Sequence, residues 1–131
     1  MLFRSVVVVN ASGGGLVAGI ALAVKSRVPG AQLYTAEPSG FDDHARSFKS
    51  GQRERNVKHS GSICEALMAQ SPGRITFEIN RALIGAGVSA TDEEAGRAVA
   101  FAFHELKLVV EPGGAVSLAA LLNCKIGRAH V

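Results

Sequence analysis

Three consecutive glycines, Gly13 to Gly15, lie between a β-branched run and a helical pattern, and this arrangement constrains the fold more than any other feature. Val6 to Val9 are all valine, which is typical of a strand buried on both faces of a parallel sheet. From Leu16 to Arg27 apolar residues recur at helical spacing, and Val28-Pro29-Gly30 ends the helix. Gln32 to Ala36 predicts a second strand. A strand, helix, strand order predicts a parallel sheet flanked by helices, and therefore an α/β fold class.

The rest of the chain continues this alternation of helices and short apolar segments. It predicts a polar helix from Asp42 to Lys49, an exposed loop from Ser50 to Ser62, a helix from Thr76 to Leu83, a strand at Gly85 to Val88, and helices from Asp92 to Leu108 and from Ala115 to Leu122. Thr91 is expected to cap the long helix, because Glu94 completes a capping box. The apolar face of that helix is expected to pack into the core through Ala95, Val99, Ala102, Phe103 and Leu106.

The composition is that of one globular domain. A chain of 131 residues with 47% hydrophobic and 19% charged residues has enough apolar side chains to bury a core. Its apolar runs are far shorter than the ~20 residues that span a bilayer, and no export signal is apparent, so we expect a cytoplasmic protein that binds no membrane. Cys64 and Cys124 lack metal-ligand spacing and are expected to be free thiols.

Both ends of the chain resemble in-frame translations of a DNA-sequencing adapter, so residues 1–5 and 125–131 are expected to be non-native. The net charge of +3 depends on these ends. Without Arg4, Lys125 and Arg128, 11 of the 14 basic residues remain, against 11 acidic ones. A neutral remainder gives no basic surface for nucleic acid, so we expect no nucleic-acid partner.

The glycine loop predicts a phosphate-binding site. Adjacent glycines leave the main-chain N–H groups uncovered, and the N-terminus of the following helix carries a partial positive charge. Ser12 adds a hydroxyl donor. A dinucleotide is an alternative ligand, because residues 13–18 satisfy G-x-G-x-x-A and Glu37 follows the second strand. The three residues between the strand and Gly13, and Pro38 directly after Glu37, count against a dinucleotide.

Acidic residues cluster at two strand or helix boundaries. Glu37, Asp42 and Asp43 lie within seven residues, and oxygen ligands on a turn suit Mg²⁺ or Ca²⁺. The alternative is that the aspartates only cap the next helix. Glu111 similarly precedes Pro112-Gly113-Gly114, where a capped helix start is the simpler interpretation. The histidines, including His44 and His59 in polar surroundings, are expected to be exposed or packed without a functional partner.

Several motifs of the chain, taken together, resemble one enzyme family, although no single motif is specific to it. They are the loop Ser12-Gly13-Gly14-Gly15-Leu16, the strand end Ala36-Glu37-Pro38-Ser39, Ser62-Ile63-Cys64-Glu65-Ala66, Thr76-Phe77, and the segment from Lys107 to Ala115. Their order and spacing resemble the type II, or tryptophan synthase β-like, pyridoxal-phosphate enzymes from Val7 to Leu122. Within that family the chain is most similar to threonine/serine dehydratases and serine racemases.

The resemblance implies a set of site residues. The cofactor phosphate would be held by Ser12, Gly13, Gly14, Gly15 and the Leu16 amide, Ala66 matches a position beside the cofactor ring, and Glu111 matches an acid that lines the same pocket. Ala66 departs from the family's usual glycine. In members that bind a divalent cation such as Mg²⁺, the ligands match Glu37, Asp43 and the main-chain carbonyl of Phe41.

The resemblance also implies an activity for the full-length enzyme: deamination of L-threonine or L-serine to 2-oxobutyrate or pyruvate and ammonia. The family's Schiff-base lysine precedes the glycine loop, and no lysine here matches it, so the isolated chain is expected to be inactive. Residues 6–124 would then be the C-terminal portion of the cofactor-binding catalytic domain. The family implies a homo-oligomer, a dimer or tetramer. Serine racemase and a non-catalytic NAD-type dinucleotide-binding domain remain the alternatives.

Overall fold

A computed structural model describes residues 5–126 of the chain. Three parallel strands, β1 (Val6–Asn10), β2 (Gln32–Pro38) and β3 (Ala86–Ala90), form one sheet in the order β1-β2-β3. The helices are α1 (Gly15–Arg27), α2 (Asp43–Ser50), α3 (Arg74–Leu83), α4 (Asp92–Phe101) and α5 (Val116–Leu122). The parallel sheet and the α/β class are confirmed. The expectation that residues 1–5 and 125–131 are non-native falls largely outside the described residues.

Helices cover both faces of the sheet, and the strand side chains divide between two cores. Val7 and Val9 of β1 join Leu33 of β2 in the core beneath α1 and α3. Val8 and Ala36 join the core beneath α4 and α5. Since side chains alternate along a strand, Thr35 and Glu37 lie on the face that Leu33 occupies. The end of β2 therefore directs Glu37 toward the same side of the sheet as α1, α2 and α3.

The long helix differs from its prediction at its C-terminal end. The capping box of Thr91 and Glu94 is confirmed, but α4 ends at Phe101 and a π-helical turn continues it from Ala102 to Leu106. The i to i+5 bonding of that turn changes the angular spacing of the side chains. Phe103 is 57% exposed and Leu106 48% exposed, so neither packs in the core of the described residues as predicted.

No helix within residues 5–126 is both long and apolar enough to cross a membrane. Cys64 and Cys124 are free thiols, as predicted, and only Cys64 is buried.

Candidate active site

One cleft at the carboxyl end of β1 is lined by every residue predicted to contact the cofactor. Its volume is about 350 Å³. The lining includes Ser12, Gly13, Gly14, Gly15, Leu16, Ala66 and Glu111. Ligands of α/β proteins commonly bind beyond the carboxyl ends of parallel strands, which is where this cleft lies.

The glycine loop is oriented by hydrogen bonds to α3 and to the residue before it. The carbonyl of Gly13 accepts hydrogen bonds from Thr76 Oγ1 at 2.7 Å and from the Gly73 amide at 2.9 Å. The carbonyl of Gly14 accepts one from Asn80 Nδ2 at 3.3 Å. In a trans peptide the following N–H points opposite to the carbonyl, so the amides that follow these carbonyls point away from α3. The amides of Gly14 and Gly15 have no hydrogen-bond acceptor within residues 5–126, so they can bind an anion at the start of α1.

The glycines of the loop have two different roles. Gly14 is buried with φ of 100°, and a Cβ there would lie 2.7 Å from His44 Nε2 and 2.8 Å from Asn80 Nδ2. A Cβ at Gly13 or Gly15 would meet nothing within 4 Å. Gly14 is therefore required by the fold, whereas Gly13 and Gly15 leave open space. A phosphate group fits this cradle, because the space that side chains would fill adjoins uncovered amides.

The Glu111 side of the cleft is fixed to β1 by Asn10. The Asn10 side chain donates from Nδ2 to the carbonyl of Gly114 at 3.0 Å and accepts through Oδ1 from the Ser117 amide at 2.7 Å. Glu111 itself is exposed. One asparagine thus joins the end of β1 to the segment that carries Glu111.

The Ala66 side of the cleft is fixed to the start of α4. Asp92 accepts from the Ser62 hydroxyl at 2.7 Å and from the Ile63 amide at 3.1 Å. Cys64 then lies in the core at 1% exposure, which leaves Ala66 at the surface of the cleft. Burial raises the pKa of the Cys64 thiol, so this cysteine is a packing residue.

The predicted metal ligands Glu37 and Asp43 lie together in a buried cluster, and His44 lies between them. Glu37 Oε1 accepts from the His44 amide at 2.9 Å and lies 3.0 Å from His44 Nδ1, while Oε2 accepts from the Ala45 amide at 3.1 Å. His44 is 0% exposed, so the predictions that it is exposed and lacks a partner are wrong. Its neighbours Asp43 and Ser47 are polar and also buried, so polar surroundings in the sequence did not indicate exposure here.

The cluster suits a cation electrostatically. Burial raises the pKa of Glu37 to about 7, and burial also raises the pKa of Asp43. Asp43 Oδ2 is buried without a hydrogen-bond partner among the described residues. Ligand atoms of Glu37, Asp43 and His44 lie within 4.8 Å of one another. Phe41, whose carbonyl is the third predicted ligand, ends the short 3₁₀ helix Ser39–Phe41 between β2 and α2.

The same burial argues against a dinucleotide. The acid that follows the second strand must reach a ribose hydroxyl in such a site. Glu37 is 0% exposed, is hydrogen-bonded through both oxygens and does not line the cleft. It therefore cannot contact a nucleotide bound at the glycine loop.

Sequence reasoning missed Asn10, His44, Thr76 and Asn80 as residues that shape the site. Asn10 contacts residues more than 100 positions away, and Asn80 contacts a glycine 66 positions away. The only local signal was a polar residue at a position that the surrounding pattern would bury, as at Asn80 in the amphipathic helix α3.

Comparison with known proteins agrees with the geometry. The family model described as "Pyridoxal-phosphate dependent enzyme" matches residues 4–129. The L-threonine ammonia-lyase of Thermotoga maritima is 32% identical over 118 residues, which cover 90% of this chain and 29% of that protein. A serine racemase of Arabidopsis thaliana is 38% identical over 117 residues, 89% of this chain and 35% of the relative.

Solved structures of a threonine deaminase and a serine racemase are also similar to this chain. The crystal structure of a threonine deaminase superposes with a TM-score of 0.90 at 32% identity, covering 96% of this chain and 45% of the other. The structure of maize serine racemase superposes with a TM-score of 0.85 at 34% identity, covering 91% of this chain and 37% of the other. The chain spans about a third of the length of the curated relatives it matches, from 29% to 35% for the two described above.

Proposed function

Because the chain belongs to the pyridoxal-phosphate dependent enzymes of fold type II, we propose that the protein containing it removes ammonia from a β-hydroxy amino acid, L-threonine or L-serine. The observation that carries this proposal is the convergence of Ser12 to Leu16, Ala66 and Glu111 on one cleft. The products would be 2-oxobutyrate or pyruvate, together with ammonia.

The glycine loop would hold the cofactor by its phosphate. The amides at the start of α1 and the Ser12 hydroxyl, whose oxygen accepts from the Ala69 amide at 3.2 Å, supply donors without any basic side chain. Bound pyridoxal phosphate supplies an electron sink for negative charge at the substrate Cα. Leu16 is 68% exposed at the edge of the cleft and would shield the phosphate from water when the site is filled.

Ala66 and Glu111 would fix the position of the cofactor ring. Ala66 would provide a flat backbone surface with one methyl group facing the ring, and Glu111 would place a carboxylate in the same part of the cleft, since both side chains lie beside Gly113. Substitution of Glu111 by Gln is expected to leave phosphate binding intact, because the side chain makes no contact with the glycine loop that the structure records.

A divalent cation is a further part of the proposal. Glu37, Asp43 and the Phe41 carbonyl would bind it, and its charge would favour the ionised form of two carboxyl groups whose pKa values burial raises. The cation would stabilise the turn between β2 and α2. The cation would lie outside the cleft, because neither Glu37 nor Asp43 lines the cleft.

Serine racemisation is the second candidate, since a serine racemase is as similar to this chain as the ammonia-lyase is. Both reactions begin by removal of the proton on Cα. They differ in whether the β-hydroxyl then leaves or the proton returns on the other face.

The test uses the complete gene product that contains this chain. Purified protein with pyridoxal phosphate is given L-threonine, L-serine or glycine, and keto acid, ammonia and D-serine are quantified separately. Keto acid from threonine or serine, with none from glycine, supports the lyase, and D-serine in excess of pyruvate supports the racemase. Failure to bind pyridoxal phosphate, with saturable binding of NAD, would overturn both.

A further inference from the structure

We propose that His44 and Asn80 are positioning residues for the phosphate. They pack against Gly14 on the side opposite the cleft and thereby set the affinity of the glycine loop for phosphate, although neither lines the cleft. The inference rests on the proposed function of the loop as the site of the cofactor phosphate.

Both side chains press against one α-carbon. The position of a Gly14 Cβ would be 2.7 Å from His44 Nε2 and 2.8 Å from Asn80 Nδ2, with Thr76 Oγ1 at 3.0 Å. His44 and Asn80 are each 0% exposed, and neither is among the residues that line the cleft. Gly14 thus has the cleft on one side and two buried polar side chains on the other.

Asn80 is one of two donors that orient the peptide group between Gly14 and Gly15. Its Nδ2 donates to the Gly14 carbonyl at 3.3 Å, in a buried position. The N–H of Gly15 belongs to the same peptide group and points the opposite way. The Gly14 carbonyl also accepts from the Ala18 amide at 2.9 Å. Loss of the Asn80 donor leaves this peptide group held only from α1, and the flexibility of adjacent glycines then lets its amide turn partly away from the anion.

His44 connects the loop to the end of β2. Its Nδ1 lies 3.0 Å from Glu37 Oε1, and the Glu37 carboxylate is held in turn by two amides of α2, those of His44 and Ala45. The Phe48 ring packs beside it with centroids 6.0 Å apart. The imidazole is therefore fixed at one edge and contacts Gly14 with the other.

Two atoms in this support have no hydrogen-bond partner among the described residues: His44 Nε2 and Asn80 Oδ1. Buried polar atoms without partners destabilise a fold, so apolar side chains of similar size would pack here at lower cost. Polar groups at both positions behind the loop are better explained by their effect on Gly14 than by stability.

The experiment compares two ligands that differ only in the phosphate. Dissociation constants of the complete gene product for pyridoxal phosphate and for pyridoxal are measured by fluorescence titration, and their ratio reports the contribution of the phosphate. The variants are His44→Leu and Asn80→Leu, with the milder His44→Gln and Asn80→Asp. Ser47→Ala is the matched control, because Ser47 is buried on the same helix and its Oγ accepts from the Glu54 amide, away from the loop.

Loss of the Asn80 hydrogen bond, or of the His44 ring that packs against Gly14, is expected to reduce the phosphate preference roughly three- to tenfold, while affinity for pyridoxal stays within twofold. A purely structural role would weaken both ligands together or neither. Ser47→Ala is expected to shift the urea midpoint without changing the ratio. His44→Gln is expected to retain more of the preference than His44→Leu, since an amide can still bond to Glu37.

Two results would overturn the inference. An unchanged ratio in the folded variants, the milder pair included, means that the loop needs no support from these side chains. A wild-type protein that binds pyridoxal as tightly as pyridoxal phosphate overturns the proposed function of the loop, and the inference with it.

Discussion

Replacement of Gly14 by alanine tests the account of the glycine loop most directly. Gly14 has φ of 100°, where an L-residue is strained by about 1–2 kcal/mol. The new methyl group would also lie 2.7 Å from His44 Nε2, 2.8 Å from Asn80 Nδ2 and 3.0 Å from Thr76 Oγ1. His44 and Asn80 are buried and cannot move without breaking contacts of their own, and overpacking of this kind costs about 1–3 kcal/mol. The expected loss in the free energy of unfolding is therefore about 2–5 kcal/mol.

Gly13→Ala and Gly15→Ala are the matched controls, because a Cβ at either position meets nothing within 4 Å. Their free energies of unfolding should change by less than about 1 kcal/mol, while their affinity for pyridoxal phosphate should fall, since the methyl group enters the phosphate cradle. Urea unfolding followed by circular dichroism, together with cofactor titration, separates the two effects. If Gly14→Ala is as stable as Gly13→Ala, the loop is not packed against α2 and α3 as described.

Four further predictions concern residues outside the glycine loop. Asn10→Leu should destabilise the protein by about 1–3 kcal/mol, because it removes both hydrogen bonds to the start of α5, and equal urea midpoints for variant and wild type would contradict this. Thr91→Ala should cost about 1 kcal/mol at pH 7. The Thr91 amide donates to Glu94 and holds the pKa of that carboxyl below its ordinary 4.5. The contribution of the carboxylate to stability is therefore complete above pH 4.5 and is lost as the pH falls through the lowered pKa. If the urea midpoint depends on pH below 4.5 in the same way in a Glu94→Gln variant as in wild type, this prediction is refuted. At pH 8, Cys124 should react with a disulfide reagent at once, whereas Cys64, which is buried and has a raised thiol pKa, should react only on unfolding. Modification of both cysteines at the same rate would show that Cys64 is accessible.

The amino-acid sequence determined the local elements and the chemistry of the loop. The valine run, the three glycines and the amphipathic spacing after them indicated a strand, an anion-binding turn and a helix, and the structure has β1, the loop and α1 at those positions. The capping box at Thr91 was also predictable from the sequence, because its two partners lie three residues apart. Each of these features depends on neighbours within one or two turns of the chain, which is the range over which propensity and periodicity act.

Tertiary structure alone decided which polar residues meet. The charged neighbours of His44 in the sequence predict a surface residue, yet the path of α2 across the sheet buries it between Glu37 and the glycine loop. The apolar spacing of the long helix predicts Phe103 and Leu106 in the core, but α4 and the turn after it pack through Ala95, Ala98 and Ala102 and leave both of them exposed. Asn80 and Asn10 act on residues 66 and more than 100 positions away. A buried polar group needs a hydrogen-bond partner, and the fold determines which residues come within hydrogen-bond distance of it. The spacing of residues along the chain does not predict which residues these are.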